Sequence, residues 1–301
     1  MVMVGEDEAS GMRALAALLV PVCLLGHTHR AGAAWIADVE VGLVHEDNVS
    51  LGEMERDIKS DTALSTSFSA GASTLLGERN TLSVTGDFIG NVYDRFSGLD
   101  NLSLGVTAAF RRKLGLGAAA PWVRVSGAGA RQEYRNDVRD GWRYRLGTGV
   151  GKRFGERWDL RAEYAFERRM ADHERAVTPR LPGDVFDQES HTLSFRGDFL
   201  YSEAISLSVG YALRRGDVAS TTQRNPAIFA ASSAVTADST FGSDTFAYKI
   251  DATTHVLSVG LSLALGQRSS FNLGYEHQIG QGNGGVDYRN NVFRASFLYS
   301  Y

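Results

Sequence analysis

From Ala34 onward the chain alternates between apolar and polar positions with a period of two. The pattern is cleanest over 62–75, where Leu64, Thr66, Phe68, Ala70 and Ala72 alternate with Ser65, Ser67, Ser69, Gly71 and Ser73. Successive side chains of a strand point to opposite faces, so the stretch predicts a strand with one apolar face and one small polar face. The last eleven residues repeat the pattern with aromatics. Phe293, Ala295, Phe297, Tyr299 and Tyr301 share one parity, and Arg294, Ser296, Leu298 and Ser300 the other. An apolar-aromatic strand with no polar tail behind it is expected to be paired, with its outer face in something apolar.

Twelve such segments can be placed, at 36–46, 62–75, 81–93, 101–113, 121–133, 141–153, 158–168, 190–200, 205–215, 246–265, 271–280 and 288–301. Each is about the ten residues, or somewhat more, that a tilted strand needs to cross a membrane. Their connections alternate. Short turns such as Phe154-Gly155-Glu156-Arg157, Tyr201-Ser202-Glu203-Ala204 and Gly266-Gln267-Arg268-Ser269-Ser270 interleave with longer polar loops near 47–61, 94–100, 134–140, 169–189, 216–245 and 281–287. A small repeat follows three of the short turns: Trp158-Leu160-Tyr164, Ile205-Leu207-Tyr211 and Phe271-Leu273-Tyr275. Aromatics at strand ends suit interfacial girdles, where an amphipathic ring sits at headgroup level. A soluble β-sandwich usually has shorter strands, and no segment sustains a helical period.

These features resemble a bacterial outer-membrane β-barrel, and the whole stretch from Ala34 is similar to the porin-like barrels of that class. The Phe297, Tyr299 and Tyr301 ending resembles the terminal signal read by the barrel assembly machinery. The stretch from Val41 to Val49 resembles a G-x-x-Y-D-D-N-V motif that follows the first strand in several such families, with His45 and Glu46 in place of Tyr-Asp. Families of differing role share that motif, so it carries no activity. The resemblance implies an all-β, transmembrane, antiparallel up-and-down barrel in contact with outer-membrane lipids. Short turns and both termini would lie in the periplasm, with long loops outside.

The start of the chain fits that location. Met12-Arg13, the apolar run Ala14 to Gly26 and then Ala31-Gly32-Ala33 read as a secretory signal peptide over 1–33, with Met12 the expected true start because Glu6, Asp7 and Glu8 are wrong for an n-region. The barrel domain is expected over 34–301. The single cysteine, Cys23, falls in the leader, which excludes a disulfide framework, a thiolate metal site and a cysteine nucleophile from the mature chain. With 31 basic and 35 acidic residues the balance argues against a nucleic-acid binder. No cofactor is expected.

With apolar residues toward lipid, the lumen receives Asp38, Glu40, Asp87, Arg111, Arg124, Arg143, Arg145, Arg161, Glu163, Glu167, Arg196, Asp198, Arg214, Glu276 and Arg294. A basic side chain on the lipid face would cost about 2–4 kcal/mol near the midplane, so the faces are hard to reverse. The tight turn after Arg153 sets Arg143 and Arg145 opposite the Glu163–Glu167 stretch, with Arg196 and Asp198 on the following strand. Two readings stand side by side: an Arg–carboxylate lattice filling a narrow lumen, or a charged eyelet that selects solutes.

Asn225-Pro226-Ala227-Ile228-Phe229-Ala230-Ala231 reads as an N-cap, a proline at the first helical position and a short apolar helix. Pro226, Ile228 and Phe229 need cover and are expected in a lid or constriction at the barrel mouth. Asp238, Asp244 and Asp251 lack a calcium-loop spacing and read as solvated loop charge. Some twelve-strand barrels are phospholipases, but His191 and Ser194 differ in parity, as do His255 and Ser258, so neither pair could react together on one face. His173-Glu174 lacks the second histidine of a zinc helix. The sequence therefore predicts a narrow passive channel for small, charged hydrophilic solutes. Its alternative is a non-conducting structural or surface-binding barrel, a partner of an envelope export or polysaccharide system.

Overall fold

A computed structural model describes residues 33–301. The expected signal peptide lies outside the described residues. The strands are β1 (Ala33–Glu46), β2 (Asp61–Leu76), β3 (Asn80–Tyr93), β4 (Asn101–Lys113), β5 (Trp122–Tyr134), β6 (Gly141–Phe154), β7 (Trp158–Ala171), β8 (Gln188–Leu200), β9 (Ile205–Gln223), β10 (Ala234–Ala237), β11 (Thr245–Ala264), β12 (Ser269–Gly282) and β13 (Asp287–Ser300). One short helix, α1 (Pro226–Ala231), precedes β10.

Every neighbouring pair is antiparallel, and β13 returns to β1, so twelve strands close a ring while β10 lies outside it on β11. Tyr299 pairs with Val39 on one side and Ser269 on the other, and the Tyr301 N–H bonds the Ala37 carbonyl at 2.8 Å. Closure removes the free edges an open sheet would leave unpaired, as a membrane-spanning sheet requires. No helix among the described residues is long and apolar enough to cross a membrane.

Register fixes the two faces. Val41, Leu64, Val84, Val106, Val125, Leu146, Leu160, Phe195, Val209, Leu257, Leu273 and Phe297 each come from a different strand and are all exposed on the outside, giving a continuous apolar band. The charged residues assigned to the lumen have the opposite parity throughout. The short turns, among them 77–79, 155–157 and 201–204, gather at one end, and the connections 47–60, 94–100, 135–140, 172–187, 224–244 and 283–286 at the other.

Two boundaries depart from the sequence reading. β7 runs on to Ala171, and β9 continues to Gln223 although 216–245 reads as a loop. Gly216 and Asp217 look like a turn signal, but Gly216 holds φ +137° inside the strand, where a Cβ would meet the Glu189 carbonyl at 2.2 Å. Beyond it Val218, Ser220 and Thr222 pair with Ile250, Tyr248 and Phe246, so β9 and β11 rise together past the ring. Much of the supposed loop is therefore strand, helix and the short β10.

Among the described residues the barrel wall encloses no apolar core, and the two buried hydrophobic clusters sit at the long-loop end. One holds Val218, Ile228, Val235, Tyr248, Ile250, Ala252, Val286 and Tyr288. The other holds Val138, Val185, Phe186, Ala234 and Ala247.

Candidate functional site

The lumen wall sorts its charges into two sides. Inward positions on β4 to β9 carry Arg111, Arg124, Arg143, Arg145, Arg161, Arg196 and Arg214, with Glu163, Glu167 and Asp198 among them. Inward positions on β12, β13 and β1 to β3 carry Glu276, Asp38, Glu40 and Asp87, with Arg294 the basic exception. Strands bring the residues into two basic–acidic groups. Arg143 donates to Glu167 at 2.6 Å and Arg145 reaches the same carboxylate at 3.5 Å. Arg161 and Arg196 face each other in register and share Asp198, Arg196 at 3.0 Å.

Glu163 does not join the Arg143–Arg145–Glu167 group. It lies opposite Gly149 and lines a wall recess of about 240 Å3 with Arg124, Arg145, Thr107 and Ser126. Arg294 sits on the other wall, bonded to Glu276. Asp87 is held by hydroxyls, from Ser69 at 2.6 Å and Thr107 at 2.6 Å. Several inward arginines are not packed away: Arg145 is 50% exposed, Arg196 53% and Arg294 47%. Side chains that point into the ring and still meet solvent leave water-accessible space beside them.

The mouth at the long-loop end is built differently. The connection from β9 to β11 leaves the ring between those strands. The gap between β3 and β4 lies six strands away in either direction, directly across the ring. Yet the Phe241 ring packs edge-on against Phe96 of the β3–β4 loop at 4.9 Å. A Cβ on Gly98 of the same loop would lie 2.8 Å from the Thr240 hydroxyl, so only glycine admits this approach. The segment Asp238–Phe241 is thus a strap that spans the mouth.

Asp238 staples the strap. Its carboxylate is fully buried and accepts from Arg139 at 2.5 Å, Asn136 at 2.8 Å, Thr221 at 3.1 Å and the Thr240 N–H at 3.1 Å. Burial alone would raise its pKa, but the Arg139 charge and the hydrogen bonds from Thr240 and Arg139 outweigh it and hold the carboxyl below the usual range. This corrects the expectation of solvated loop charge: only Asp244 and Asp251 are exposed. Other loops lock on. Arg175 binds Asp137 at 2.7 Å, Ala176 bridges Thr236, and the Ser50 carbonyl accepts from the Thr221 N–H at 2.8 Å. Leu51, the one non-glycine residue with positive φ (+51°) among those described, supplies its carbonyl to Ser220.

The apolar helix forms as expected. The Asn225 side chain accepts from the Ala227 and Ile228 N–H groups, and Pro226 opens the first turn. Ile228 is buried against Tyr248, Ile250 and Val286, and Phe229 and Ala231 lie beside the same cluster. The helix stays on the near side of the mouth. The segment that reaches the far rim follows it, where no apolar pattern announced it.

The Val41–Val49 motif is a seam. Asp47 binds the Asn291 N–H at 2.7 Å, and Asn48, fully buried, bonds Asn290, Arg289 and Gly52. These contacts join β1 to β13 where the ring closes. The three repeat tyrosines lie on the outer face beside polar partners: Tyr164 with His191 at 2.7 Å, Tyr211 with His255 at 2.8 Å and Tyr275 with Asn291 at 2.7 Å. Asn291 also binds His277 at 2.7 Å. Phe297 and Tyr299 are exposed on the outer face, and Arg268 lies over the Tyr301 ring at 5.2 Å. Among the described residues no cluster of three metal-ligating side chains occurs.

No protein-family model and no curated protein matches the chain. Among solved structures, an outer membrane channel from Pseudomonas putida F1 is similar over 91% of this chain and 97% of its own, with TM-score 0.59 and 14% identity. The CymD monoaromatic hydrocarbon channel follows at TM-score 0.48 and 11% identity, covering 91% of this chain and 89% of its own. The outer membrane channel DcaP of Acinetobacter baumannii gives 0.46 and 10%, covering 92% and 100%. The first of these, at 14% identity, carries a likeness of fold alone: the chain is a transmembrane β-barrel of the porin-like architecture.

Proposed function

We propose that the protein sits in the bacterial outer membrane, short turns and both termini in the periplasm, and conducts small charged hydrophilic solutes passively. The observation that carries this is the solvent exposure of arginines whose register points them into the ring. A filled lumen would bury them at a desolvation cost of several kcal/mol per ion. Opposed basic and acidic walls set a field across the path, and rings of charged side chains select ions by sign. Arg143, Arg145, Arg161 and Arg196 face the route with Glu163, Glu167 and Asp198 between them, and Arg294 lies on the opposite wall. On the β4 to β9 side positive charge exceeds negative, and that local field favours anions.

In this reading the strap over the mouth is the constriction, and the helix with Pro226, Ile228 and Phe229 anchors its near end. The outer band meets lipid, and the Phe297, Tyr299 and Tyr301 face is what the assembly machinery reads. The stapled strap also favours a second reading, a non-conducting structural or surface-binding barrel serving an envelope export or polysaccharide system. Planar-bilayer recording separates the two. Unitary steps from the purified barrel support the channel. Silence from both the native protein and a variant with the staple cut, Asp238→Ala, supports the structural barrel.

A further inference from the structure

One recess at the long-loop end differs in chemistry from the lumen. It encloses about 450 Å3 between the β7–β8 loop, the start of α1 and the upper part of β11. Such a volume falls in the lower part of the range for small-molecule sites. Its apolar wall is Val177, Pro226, Phe229 and Phe246, and its charged residues are Arg180 and Arg224. Both arginines are exposed, and neither makes a side-chain hydrogen bond or ion pair among the described residues. Two other arginines at this end are paired instead: Arg139 holds Asp238 and Arg175 holds Asp137.

A third polar group borders the same space. Tyr248 is 2% exposed, and its hydroxyl accepts from the Asn225 N–H at 3.3 Å, with its own proton left to donate. Asp57 and Asp244 lie within electrostatic range of that hydroxyl, but neither lines the recess. Asp57 is already occupied by the Gln223 N–H at 3.1 Å. Two guanidiniums without carboxylate partners offer planar, charge-assisted donors. Phe229 and Phe246 offer faces and edges against which a flat ring packs.

We propose that this recess binds a small aromatic carboxylate, its carboxyl group on Arg180, Arg224 and the Tyr248 hydroxyl and its ring between Phe229 and Phe246. Inorganic anions would miss the apolar wall, and neutral aromatics would leave the guanidiniums unmatched. Binding here does not require the lumen to conduct.

The test is calorimetric titration of the full barrel in lipid nanodiscs with benzoate, benzyl alcohol and inorganic phosphate as probes. Benzoate should saturate one site, with the other two probes at least tenfold weaker. The double variant R180Q/R224Q should lose tenfold or more in benzoate affinity while keeping the heat-modifiable gel migration of a folded barrel. Both residues lack partners, so folding should not suffer. A second variant, R224E, should abolish binding by charge reversal. Absence of saturable benzoate binding, equal affinity for phosphate, or unchanged affinity in R180Q/R224Q would overturn the proposal. A barrel that binds benzoate but is silent in bilayers would remove the channel reading alone. One that conducts and does not bind would remove this inference alone.

Discussion

The middle of the lumen and the mouth use the same ion-pair chemistry to opposite ends. Arg143, Arg145 and Glu167 are 42%, 50% and 28% exposed, whereas Arg139 is 13% exposed and Asp238 not at all. Half-exposed pairs are worth about 0–1 kcal/mol each, because water competes for both partners. A buried pair broken on one side costs about 3–5 kcal/mol, since the other charge is stranded. The lumen pairs can therefore yield to a passing solute. The mouth pair cannot, and so it behaves as a staple.

The largest effect should come from cutting that staple. Asp238→Ala leaves Arg139 without its carboxylate under the Phe186 and Phe241 rings. It should cost the strap about 3–5 kcal/mol. Hydrogen exchange at Thr240 and Thr221 should accelerate, and any unitary conductance should rise. Unchanged exchange there would mean the strap is held by other contacts.

Acid offers a milder version of the same break. A carboxyl whose pKa is lower folded than unfolded contributes stability that is fully present above the unfolded value, about 3.9, and lost as pH falls through the folded value. Burial works against Asp238, but Arg139 and Thr240 prevail and the net direction is down. Exchange protection of the strap should be flat from neutral pH to about pH 5 and fall only below about pH 4. Loss of protection near pH 6 would assign the switch to another group.

Removing the lumen pairs should leave stability almost untouched. Arg143→Ser with Arg145→Ser should lower stability by about 0–1 kcal/mol per pair, read as a small change in melting temperature. A large drop would mean that the arginines fill a closed wall. A comparably small change should follow Tyr211→Phe on the outer face, where one hydrogen bond to His255 is lost, worth about 0.5 kcal/mol at the low end of the range for a single bond.

The difference between wall and mouth also decides what the sequence discloses. Wall positions obey a period of two, so Arg143, Glu167, Arg196 and their neighbours could be assigned a face from parity alone. The Asn225-Pro226 cap announced α1 because local chemistry sets it. The mouth depends on contacts far apart in the chain: Asp238 with Arg139, Phe241 with Phe96, Gly98 with Thr240. None follows from local periodicity, and an aspartate in a polar loop reads as solvated until the fold buries it. The Tyr–His pairs on the outer face were half legible, as aromatic repeats whose partners lie one strand away. Glu163 lies four residues before Glu167 on β7, so register sets it opposite Gly149, in the wall recess beside Arg145 rather than on the carboxylate shared by Arg143 and Arg145.

The central claim, a wet and charge-selective lumen, is tested most directly by the reversal potential of the barrel in a planar bilayer under a salt gradient. The native protein should show unitary steps with a reversal potential on the anion-selective side, and the Arg143→Ser, Arg145→Ser double variant should shift it toward cations. A native barrel with the same reversal potential as the double variant, or with no steps even after Asp238→Ala frees the strap, would contradict the account.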